Sequence, residues 1–202
     1  MKALATSISD VVLLEPKVFE DSRGTFFESY NERALAELGI KGPFVQDNQS
    51  FSRRDVVRGL HYQIHQPQGK LIRCLSGEIY DVALDLRRYS PTFCQWVGEI
   101  LSSSNRKMLW IPPGFAHGFM VLSEGTEVLY KATDFYAPQH ERTLLWNDPA
   151  LKIDWPRGNR AILSAKDLAG STLERAPVYD HMGVYDQEGQ SAEETAAHAL
   201  RA

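Results

Sequence analysis

Side chains that can move protons are concentrated in the middle of the chain. His61 and Lys70 lie in the stretch RGLHYQIHQPQGKLIRC, residues 58–74, whose pattern predicts two strands joined by a turn. Histidine is the side chain best suited to proton transfer near neutral pH. A nearby aspartate such as Asp167 could orient the imidazole and stabilise its protonated form, and Tyr130 could act as the acid. If the fold brings these groups together, they can remove and return a proton at a carbon atom.

Each of these side chains also has an ordinary structural interpretation. A lone histidine such as His61 or His117 is most often a hydrogen-bonded core residue, and a lysine directly after a turn is usually solvated. Tyr130 shares a strand face with Val128 and Ala132, which is typical of core packing with a hydroxyl at the rim. Five cations could nevertheless give this acidic protein a local site for phosphate: Arg23, Arg58, Lys70, Arg73 and Lys166. Spacing alone leaves open whether these groups converge.

A metal pair is the alternative use of the histidines in this stretch. His61 and His65 are four residues apart, which would suggest metal binding if the segment were helical. The segment predicts a strand instead, and it lacks the glutamate of an HExxH motif. A metal site on a strand would normally use a His-x-His pair with a nearby glutamate, and His61-Tyr62-Gln63 interrupts that pattern. We therefore expect no metal at this site.

Short alternating runs dominate the elements that must position these residues. In IYDVALDLR, residues 79–87, the even-numbered residues are apolar or aromatic and the odd-numbered ones include Asp81, Asp85 and Arg87, which predicts a half-buried strand. Similar runs occupy residues 11–14, 44–51, 94–101, 107–111, 118–122 and 127–136. Turn residues separate these runs, and strands do not alternate with helices. The sequence therefore predicts an all-β fold, an antiparallel sandwich or barrel with a few short helices.

Helical patterns are few. The segment NERALAELG, residues 31–39, predicts a helix that Asn31 caps and Gly39 ends. Residues 164–170 predict one short turn or helix. The length of 202 residues allows one domain, which we place at residues 1–176. The Ala- and Glu-rich end predicts a C-terminal extension, residues 177–202, that is a frayed helix or disordered.

Composition excludes several classes of function. The formal net charge of −4 argues against a general nucleic-acid partner. The chain has no apolar run of about 18 residues, so we expect no membrane span. Its first ten residues lack the apolar region of a secretory signal. Cys74 and Cys94 follow no CxxC spacing, which favours reduced thiols and a cytoplasmic location.

A series of motifs between Leu13 and Asp167 resembles one family of enzymes. The motifs are FEDSRGTFFESY (19–30), QDNQS (46–50), RGLHYQ (58–63), GKLIRC (69–74), DVALDLRRYSPTF (81–93), LWIPPGFAHGF (109–119), YKATDFYAP (130–138), WNDP (146–149) and LSAKD (163–167). Each is weak alone, but their order and close spacing are specific. The chain resembles the dTDP-4-dehydrorhamnose 3,5-epimerase family.

The resemblance implies a cupin-type jelly-roll fold, a homodimer, and catalysis without a metal or another cofactor. It also implies that the substrate is dTDP-4-dehydro-6-deoxy-D-glucose and the product dTDP-4-dehydro-L-rhamnose. By the same resemblance, His61 is the base, Tyr130 the proton donor, Asp167 the partner of the histidine, and Lys70 the group facing the C4 oxygen of the sugar. The substrate-binding residues that it implies are Arg23, Glu28, Gln46, Asp47, Asn48, Arg58, His117, Glu141 and Lys166. The segment with Arg23 and Glu28 is expected to reach into the site of the partner subunit.

Three alternatives remain open on the sequence. A sister enzyme that inverts only C5 or only C3 would need the same His61, Tyr130 and Lys70. A non-catalytic nucleotide-sugar binding protein could share the fold, although such a protein has no need to keep His61 and Tyr130. A metal-dependent jelly-roll enzyme such as a dioxygenase would need the ligand pattern that residues 61–63 interrupt. The motifs hardly discriminate between the double epimerase and the sister enzymes, and we favour the double epimerase.

Overall fold

The computed structural model describes residues 1–180, where short strands make up most of the regular structure. The strands are β1 (Lys2–Ala5), β2 (Val12–Glu15), β3 (Val18–Asp21), β4 (Gly24–Phe27), β5 (Gln46–Ser52), β6 (Val57–Gln63), β7 (Lys70–Ser76), β8 (Glu78–Asp85), β9 (Trp96–Ser102), β10 (Met108–Ile111), β11 (Phe115–Val121), β12 (Thr126–Ala132) and β13 (Glu141–Thr143). The helices are α1 (Glu32–Glu37) and α2 (Ala165–Leu168), and two 3₁₀ turns cover Pro138–His140 and Gly158–Arg160.

Two antiparallel sheets form a jelly-roll sandwich. The six-stranded sheet has the order β1-β2-β10-β7-β12-β5, and the five-stranded sheet has the order β13-β6-β11-β8-β9. Neighbouring strands such as β2 and β10, or β6 and β11, lie far apart in the chain, as a jelly roll requires. The prediction of an all-β sandwich with a few short helices is confirmed.

Three apolar clusters hold these layers together. Between the sheets, Ile72 of the six-stranded sheet and Phe119 of the five-stranded sheet belong to one buried cluster. The outer face of the five-stranded sheet is covered by the chain that follows β13, including Trp155. The outer face of the six-stranded sheet is covered by α1 through Leu35. Both sheets are therefore buried on two faces over much of their area, because loops and helices supply a second apolar layer.

The strand β8 shows the consequence of this double covering. Asp81 and Asp85 are both 0% exposed, so the prediction of a half-buried strand at residues 79–87 is wrong. The polar face of β8 lies between the two sheets, where Asp81 bonds to His117. Asp85 accepts hydrogen bonds from Arg87 and from hydroxyl groups of the next loop. Buried carboxylates persist here because each has partners that satisfy it.

Most of the elements that the sequence pattern missed lie in the N-terminal third. The strands β3 and β4 form a two-stranded hairpin outside both main sheets. The patterns also missed β1 and the short β13. The predicted helix α1 is present, and the side chain of Asn31 caps it by accepting a hydrogen bond from the N–H of Ala34. Such a cap stabilises a helix by about 1 kcal/mol.

Residues 177–180 close the described part of the chain and pack onto the five-stranded sheet. Tyr179 is 3% exposed, and its main chain pairs with the residues that follow β8. The rest of the predicted extension, residues 181–202, lies outside the described residues. Within residues 1–180, the helices are all too short and too polar to cross a membrane. The thiols of Cys74 and Cys94 are both free.

Candidate active site

A cavity of about 550 Å³ opens between the two sheets. Strands of both sheets line it, together with α2 and the segments that follow β6 and β12. Its lining residues are Gln46, Asn48, Gln49, Ser50, Arg58, His61, Tyr62, Gln63, Gln68, Lys70, His117, Phe119, Tyr130, Tyr136, Glu141, Ser164, Lys166 and Asp167. The cavity therefore brings together all four residues that were assigned catalytic roles from the sequence. It has the size expected for a small-molecule site.

The imidazole of His61 is held by a buried carboxylate. Its Nε2 lies 2.6 Å from Oδ1 of Asp167. The His61 side chain is 25% exposed, whereas that of Asp167 is 5% exposed. A short contact between a histidine and a shielded carboxylate fixes the orientation of the ring and favours its protonated form.

The short helix α2 explains why Asp167 points at β6. Ser164 caps α2 by accepting a hydrogen bond from the N–H of Asp167, and its hydroxyl donates to Oδ2 of the same residue at 2.7 Å. The other oxygen, Oδ1, also accepts a longer hydrogen bond of 3.4 Å from the N–H of Gly59. The carboxylate is thus bonded on both oxygens before any substrate enters, and its position does not depend on His61 alone.

A close approach of two strands sets the position of His61. Gly59 has a φ of +115°, and a Cβ at this position would lie 2.5 Å from Cα of Gly118 and 2.6 Å from the carbonyl oxygen of His117. Only glycine fits that backbone and that space. The register between β6 and β11 shifts between His117 and Phe119, next to this contact. The irregular pairing therefore places His61 and His117 side by side as partners in the ladder.

Opposing effects act on the pKa of each member of the His61–Asp167 pair. Burial lowers the pKa of His61 below its ordinary value, although the hydrogen bond with Asp167 opposes this shift. Burial would raise the pKa of Asp167, but its hydrogen bonds with His61 and Ser164 outweigh burial and leave the pKa lowered. Asp167 therefore stays ionised while His61 is readily neutral near pH 7, which is the state that a general base requires.

Tyr130 faces this pair from the opposite sheet. It lies on β12, whereas His61 lies on β6, and both line the same cavity. The ring of Tyr130 is 6.3 Å from that of His117, edge to face. Burial, together with the charge of Glu141, raises the pKa of the Tyr130 hydroxyl. The phenol therefore keeps its proton and is available as a donor.

Lys70 is the most deeply buried cation of the cavity. It begins β7 and is 8% exposed. Burial lowers the pKa of its ammonium group to about 8, with Asp81 and Glu141 opposing and Lys166 adding to the shift. An ammonium group with so little water around it acts strongly on a negative charge that develops nearby.

Polar contacts fix the remaining wall of the cavity. Nζ of Lys166 donates to Oε1 of Glu141 at 2.7 Å, and the hydroxyl of Tyr136 donates to the other oxygen at 2.9 Å.

Nε2 of His117 lies 3.0 Å from Oδ2 of Asp81, and both residues are buried. The exposed Arg58 donates to the hydroxyl of Ser52 at 3.1 Å. These contacts leave cationic groups facing the cavity that suit an anionic ligand.

The strand β5 divides its polar residues between two faces. Gln46 and Asn48 line the cavity and bond to each other at 3.0 Å. Asp47, between them, points to the other side, where its carboxylate accepts from Nζ of Lys131 at 2.9 Å. Successive residues of a strand alternate faces, which explains this division. The geometry does not support a contact between the Asp47 side chain and a ligand in the cavity.

Two further predicted binding residues lie on the hairpin side of the molecule. Arg23 lies at the tip of the β3–β4 hairpin and pairs with Asp21 at 2.6 Å. Glu28 follows β4 and accepts a hydrogen bond of 3.0 Å from Asn31. Neither belongs to the described lining of the cavity in the same chain. Arg73, also considered as a phosphate ligand, stacks on Phe27 outside the cavity.

Some lining residues escaped the sequence analysis. Gln63, Phe119, Tyr136 and Ser164 lie inside the quoted motifs and Gln68 lies between two of them, but they were assigned no role. The Ser164-to-Asp167 spacing is a capping signature that could have predicted Ser164. Asp81 was assigned to the wet face of a strand, and only the three-dimensional fold shows its contact with His117. Within residues 1–180, no three His, Cys, Asp or Glu side chains cluster so as to hold a metal ion.

A jelly-roll sandwich with a histidine–carboxylate pair facing a tyrosine across a polar cavity defines an enzyme of acid–base chemistry. Comparison with known proteins gives the family. The profile described as dTDP-4-dehydrorhamnose 3,5-epimerase matches residues 5–175. The dTDP-4-dehydrorhamnose 3,5-epimerase of Pseudomonas aeruginosa is 60% identical over 180 residues, which cover 89% of this chain and 99% of that protein. The enzyme of the same name from Salmonella typhimurium is 56% identical over 178 residues, covering 87% and 97%.

A solved structure shows the same relationship. The dTDP-6-deoxy-D-glucose-3,5-epimerase of Legionella pneumophila, solved in complex with dTDP-4-keto-L-rhamnose, superposes with a TM-score of 0.87 at 47% sequence identity. The match covers 90% of this chain and 98% of that one. The chain belongs to the dTDP-4-dehydrorhamnose 3,5-epimerase family, which confirms the resemblance found in its motifs.

Proposed function

We propose that the chain inverts C3 and C5 of dTDP-4-dehydro-6-deoxy-D-glucose to give dTDP-4-dehydro-L-rhamnose, in the biosynthesis of dTDP-L-rhamnose. The observation that carries this proposal is the placement of the His61–Asp167 pair on one wall of the cavity and Tyr130 on the other. Inversion of a carbon centre needs a base on one face of the sugar ring and an acid on the opposite face. Family membership supports the identity of the substrate.

The C4 ketone makes the hydrogens on C3 and C5 acidic. His61, through the ring nitrogen that does not contact Asp167, takes one of these protons and leaves an enolate. Asp167 stabilises the imidazolium that forms. Lys70 donates to the C4 oxygen as negative charge develops there, and its burial makes this interaction strong. Tyr130 then delivers a proton from the opposite face, so the centre is inverted.

The polar wall would hold the nucleotide part of the substrate. Arg58, His117 and Lys166 can bind the diphosphate oxygens, with Glu141 positioning Lys166. Gln46 and Asn48 offer amide groups to the rest of the ligand. Fixing the diphosphate fixes the distance from the sugar ring to His61 and Tyr130, which lowers the entropic barrier to both proton transfers.

A homodimer would complete the site. Val18, Phe19 and Phe26 on the β3–β4 hairpin are 37%, 53% and 73% exposed, an unusual apolar content for a projecting hairpin. Such side chains are expected to be covered by another surface. If the hairpin packs on a second copy of the chain, Arg23 and Glu28 are carried towards the cavity of the partner subunit. This arrangement supports their predicted role in substrate binding.

The proposal is tested by following deuterium in the product. The purified protein is incubated with dTDP-4-dehydro-6-deoxy-D-glucose in deuterated water, and the sugar is analysed by NMR and mass spectrometry. We expect deuterium at both C3 and C5 and a 4-keto product of L configuration that a reductase can trap. Deuterium at one carbon with a single inverted centre would instead identify a monoepimerase. Tight binding without incorporation would identify a binding protein and overturn the proposal.

A further inference from the structure

The C-terminal end of β6, at Gln63, extends beyond the last residue pair that β6 forms with β11. His61 pairs with His117 on β11, and this is the pair of the β6–β11 register nearest that end. Leu60 and Leu144 exchange main-chain hydrogen bonds of 3.4 Å and 2.9 Å on the β13 side. Because main-chain groups alternate sides along an antiparallel strand, His61 and Gln63 point theirs towards β11. The carbonyl of Gln63 therefore faces a place that the described β6–β11 register does not reach.

A tyrosine from the end of the described chain occupies that place. The hydroxyl of Tyr179 donates to the carbonyl oxygen of Gln63 at 2.5 Å. The main chain of Tyr179 bonds to Leu86 at 3.0 Å and to Arg88 at 2.8 Å, directly after β8. We call residues 177–180 the C-terminal strap. The strap runs from the end of β8 to the end of β6 and passes the start of β11. The Tyr179 hydroxyl takes the place of a β11 donor at the carbonyl of Gln63.

A second contact ties the strap to β6. The hydroxyl of Tyr62 donates to the carbonyl oxygen of Pro177 at 2.6 Å. The rings of Tyr62 and Tyr179 pack edge to face with their centroids 6.1 Å apart. Both tyrosines are 3% exposed. One buried and one partly buried hydrogen bond therefore hold the residues that directly follow His61. The buried carbonyl of Gln63 would be left unsatisfied if it lost its donor.

Gln63 passes this restraint on to the opposite wall of the cavity. Its side-chain amide donates to the carbonyl oxygens of Gln66 at 2.7 Å and Phe135 at 3.3 Å. Its side-chain oxygen accepts from the N–H of Ala137 at 2.8 Å. Between the last two residues stands Tyr136, which lines the cavity. One buried glutamine thus connects the strand that carries His61 with the segment that carries Tyr136.

We propose that Tyr179 is a positioning residue of this enzyme and that the C-terminal strap belongs to its active-site scaffold. The hydroxyl of Tyr179 fixes Gln63, and Gln63 fixes both the end of β6 and residues 135–137. The inference rests on the proposed function for its kinetic consequence. It assigns a role to a segment beyond residue 175, where the match to the family profile ends.

The test is the variant Tyr179→Phe in the full chain, which removes the hydroxyl and keeps the buried ring. We expect kcat to fall by about tenfold or more, because small displacements of a catalytic base are costly to rate. KM should change by a smaller factor than kcat, because Tyr136 reaches the diphosphate ligands only indirectly, through Glu141 and Lys166. Tyr62→Phe breaks the other contact of the strap and should shift kcat in the same direction.

Tyr80→Phe is the matched control. Tyr80 belongs to the same apolar cluster as Tyr179, and its ring packs on Trp155 at 6.1 Å, but it does not line the cavity. Its loss of a hydroxyl should leave kcat unchanged. A purely structural role for Tyr179 predicts a lower melting temperature with unchanged kcat in the folded variant, and that result would overturn the proposal.

Amide hydrogen exchange decides the same question without catalysis. Tyr179→Phe should speed exchange in peptides that cover residues 61–64 and 134–137, and leave residues 46–52 of β5 as in the parent. This result would support the positioning role of the strap even if the parent chain acts on a different 4-keto sugar. Unchanged exchange in both peptides, with kcat within twofold of the parent, would show that the strap does not position the site.

Discussion

Oδ1 of Asp167 lies 2.6 Å from Nε2 of His61, although 106 residues separate them in the chain. The contact exists because α2 packs against β6 and because Ser164 orients the carboxylate from within α2. Asp167 is also ionised, because its pKa is lowered despite burial, and it therefore gives the imidazole a negatively charged partner. The basicity of His61 therefore depends on a helix of four residues near the end of the described chain.

Asp167→Asn tests this dependence through the pH profile. Burial lowers the pKa of His61, and the hydrogen bond with Asp167 opposes that shift. Without the carboxylate, the pKa of His61 should fall further, so the acidic limb of the kcat/KM profile should move to lower pH. The plateau should fall by about a hundredfold or more, because the neutral amide neither stabilises the imidazolium nor selects the tautomer.

The control for this variant is Asp154→Asn, which removes an exposed carboxylate outside the cavity. It should reproduce the parent profile. An acidic limb that moves to higher pH in Asp167→Asn, or a plateau close to that of the parent, would contradict the proposed His–Asp pair.

His61→Ala should abolish proton exchange between solvent and both C3 and C5. The described cavity places His61 opposite Tyr130, and the raised pKa of Tyr130 keeps its hydroxyl protonated, so Tyr130 does not replace His61 as the base. Deuterium incorporation in deuterated water measures the loss, and calorimetric titration with dTDP checks that the nucleotide still binds. Exchange at the parental rate in this variant would remove His61 from the role of base.

Tyr130→Phe should separate proton removal from epimerisation. His61 and Lys70 remain, so the enolate still forms and solvent deuterium can return from the same face. Inversion should fall at least about a hundredfold more than exchange, because the opposite face has lost its donor. The two rates are compared by NMR in one sample, with Tyr89→Phe as a surface control. Equal losses of exchange and inversion would assign the proton delivery to another group.

The sequence predicted the sheet but not how its faces are covered. Alternation located β8 correctly, yet it assigned Asp81 and Asp85 to solvent. The covering layer comes from residues after β13, which have no regular period and include Trp146 and Trp155. Burial of a strand depends on what packs over it, and a pattern confined to that strand carries no such information.

The sequence likewise predicted only part of the candidate site. The motifs brought His61, Lys70, Tyr130 and Asp167 to attention, and the fold places all four around one cavity. The motifs could not separate Asp47 from its neighbours Gln46 and Asn48, although strand alternation alone predicts opposite faces. The sequence also could not predict the role of the strap, because the hydrogen bond from Tyr179 to Gln63 joins residues that are 116 positions apart.

Lys70 has opposite effects on stability and on catalysis. Burial lowers its pKa from the ordinary 10.5 to about 8. Below pH 8 the lysine is protonated in both the folded and the unfolded chain, so the folded state carries the full penalty of a buried charge. Between pH 8 and 10.5 the folded protein releases the proton first, and the penalty shrinks with rising pH. The enolate, by contrast, is stabilised by the charged form, which predicts a basic limb in kcat/KM near pH 8.

Lys70→Met should therefore make the protein more stable and nearly inactive. At pH 7 the free energy of unfolding should rise by up to about 3 kcal/mol, the value of a pKa shift of this size, and the gain should shrink towards pH 10.5. Activity should fall by about a hundredfold or more, because the C4 oxygen loses its cationic donor. Denaturant titrations at pH 7 and pH 10 measure the first effect, with the exposed Lys41→Met as control. A variant less stable than the parent at pH 7 would show that the Lys70 charge is fully compensated by Asp81 and Glu141 in the folded protein.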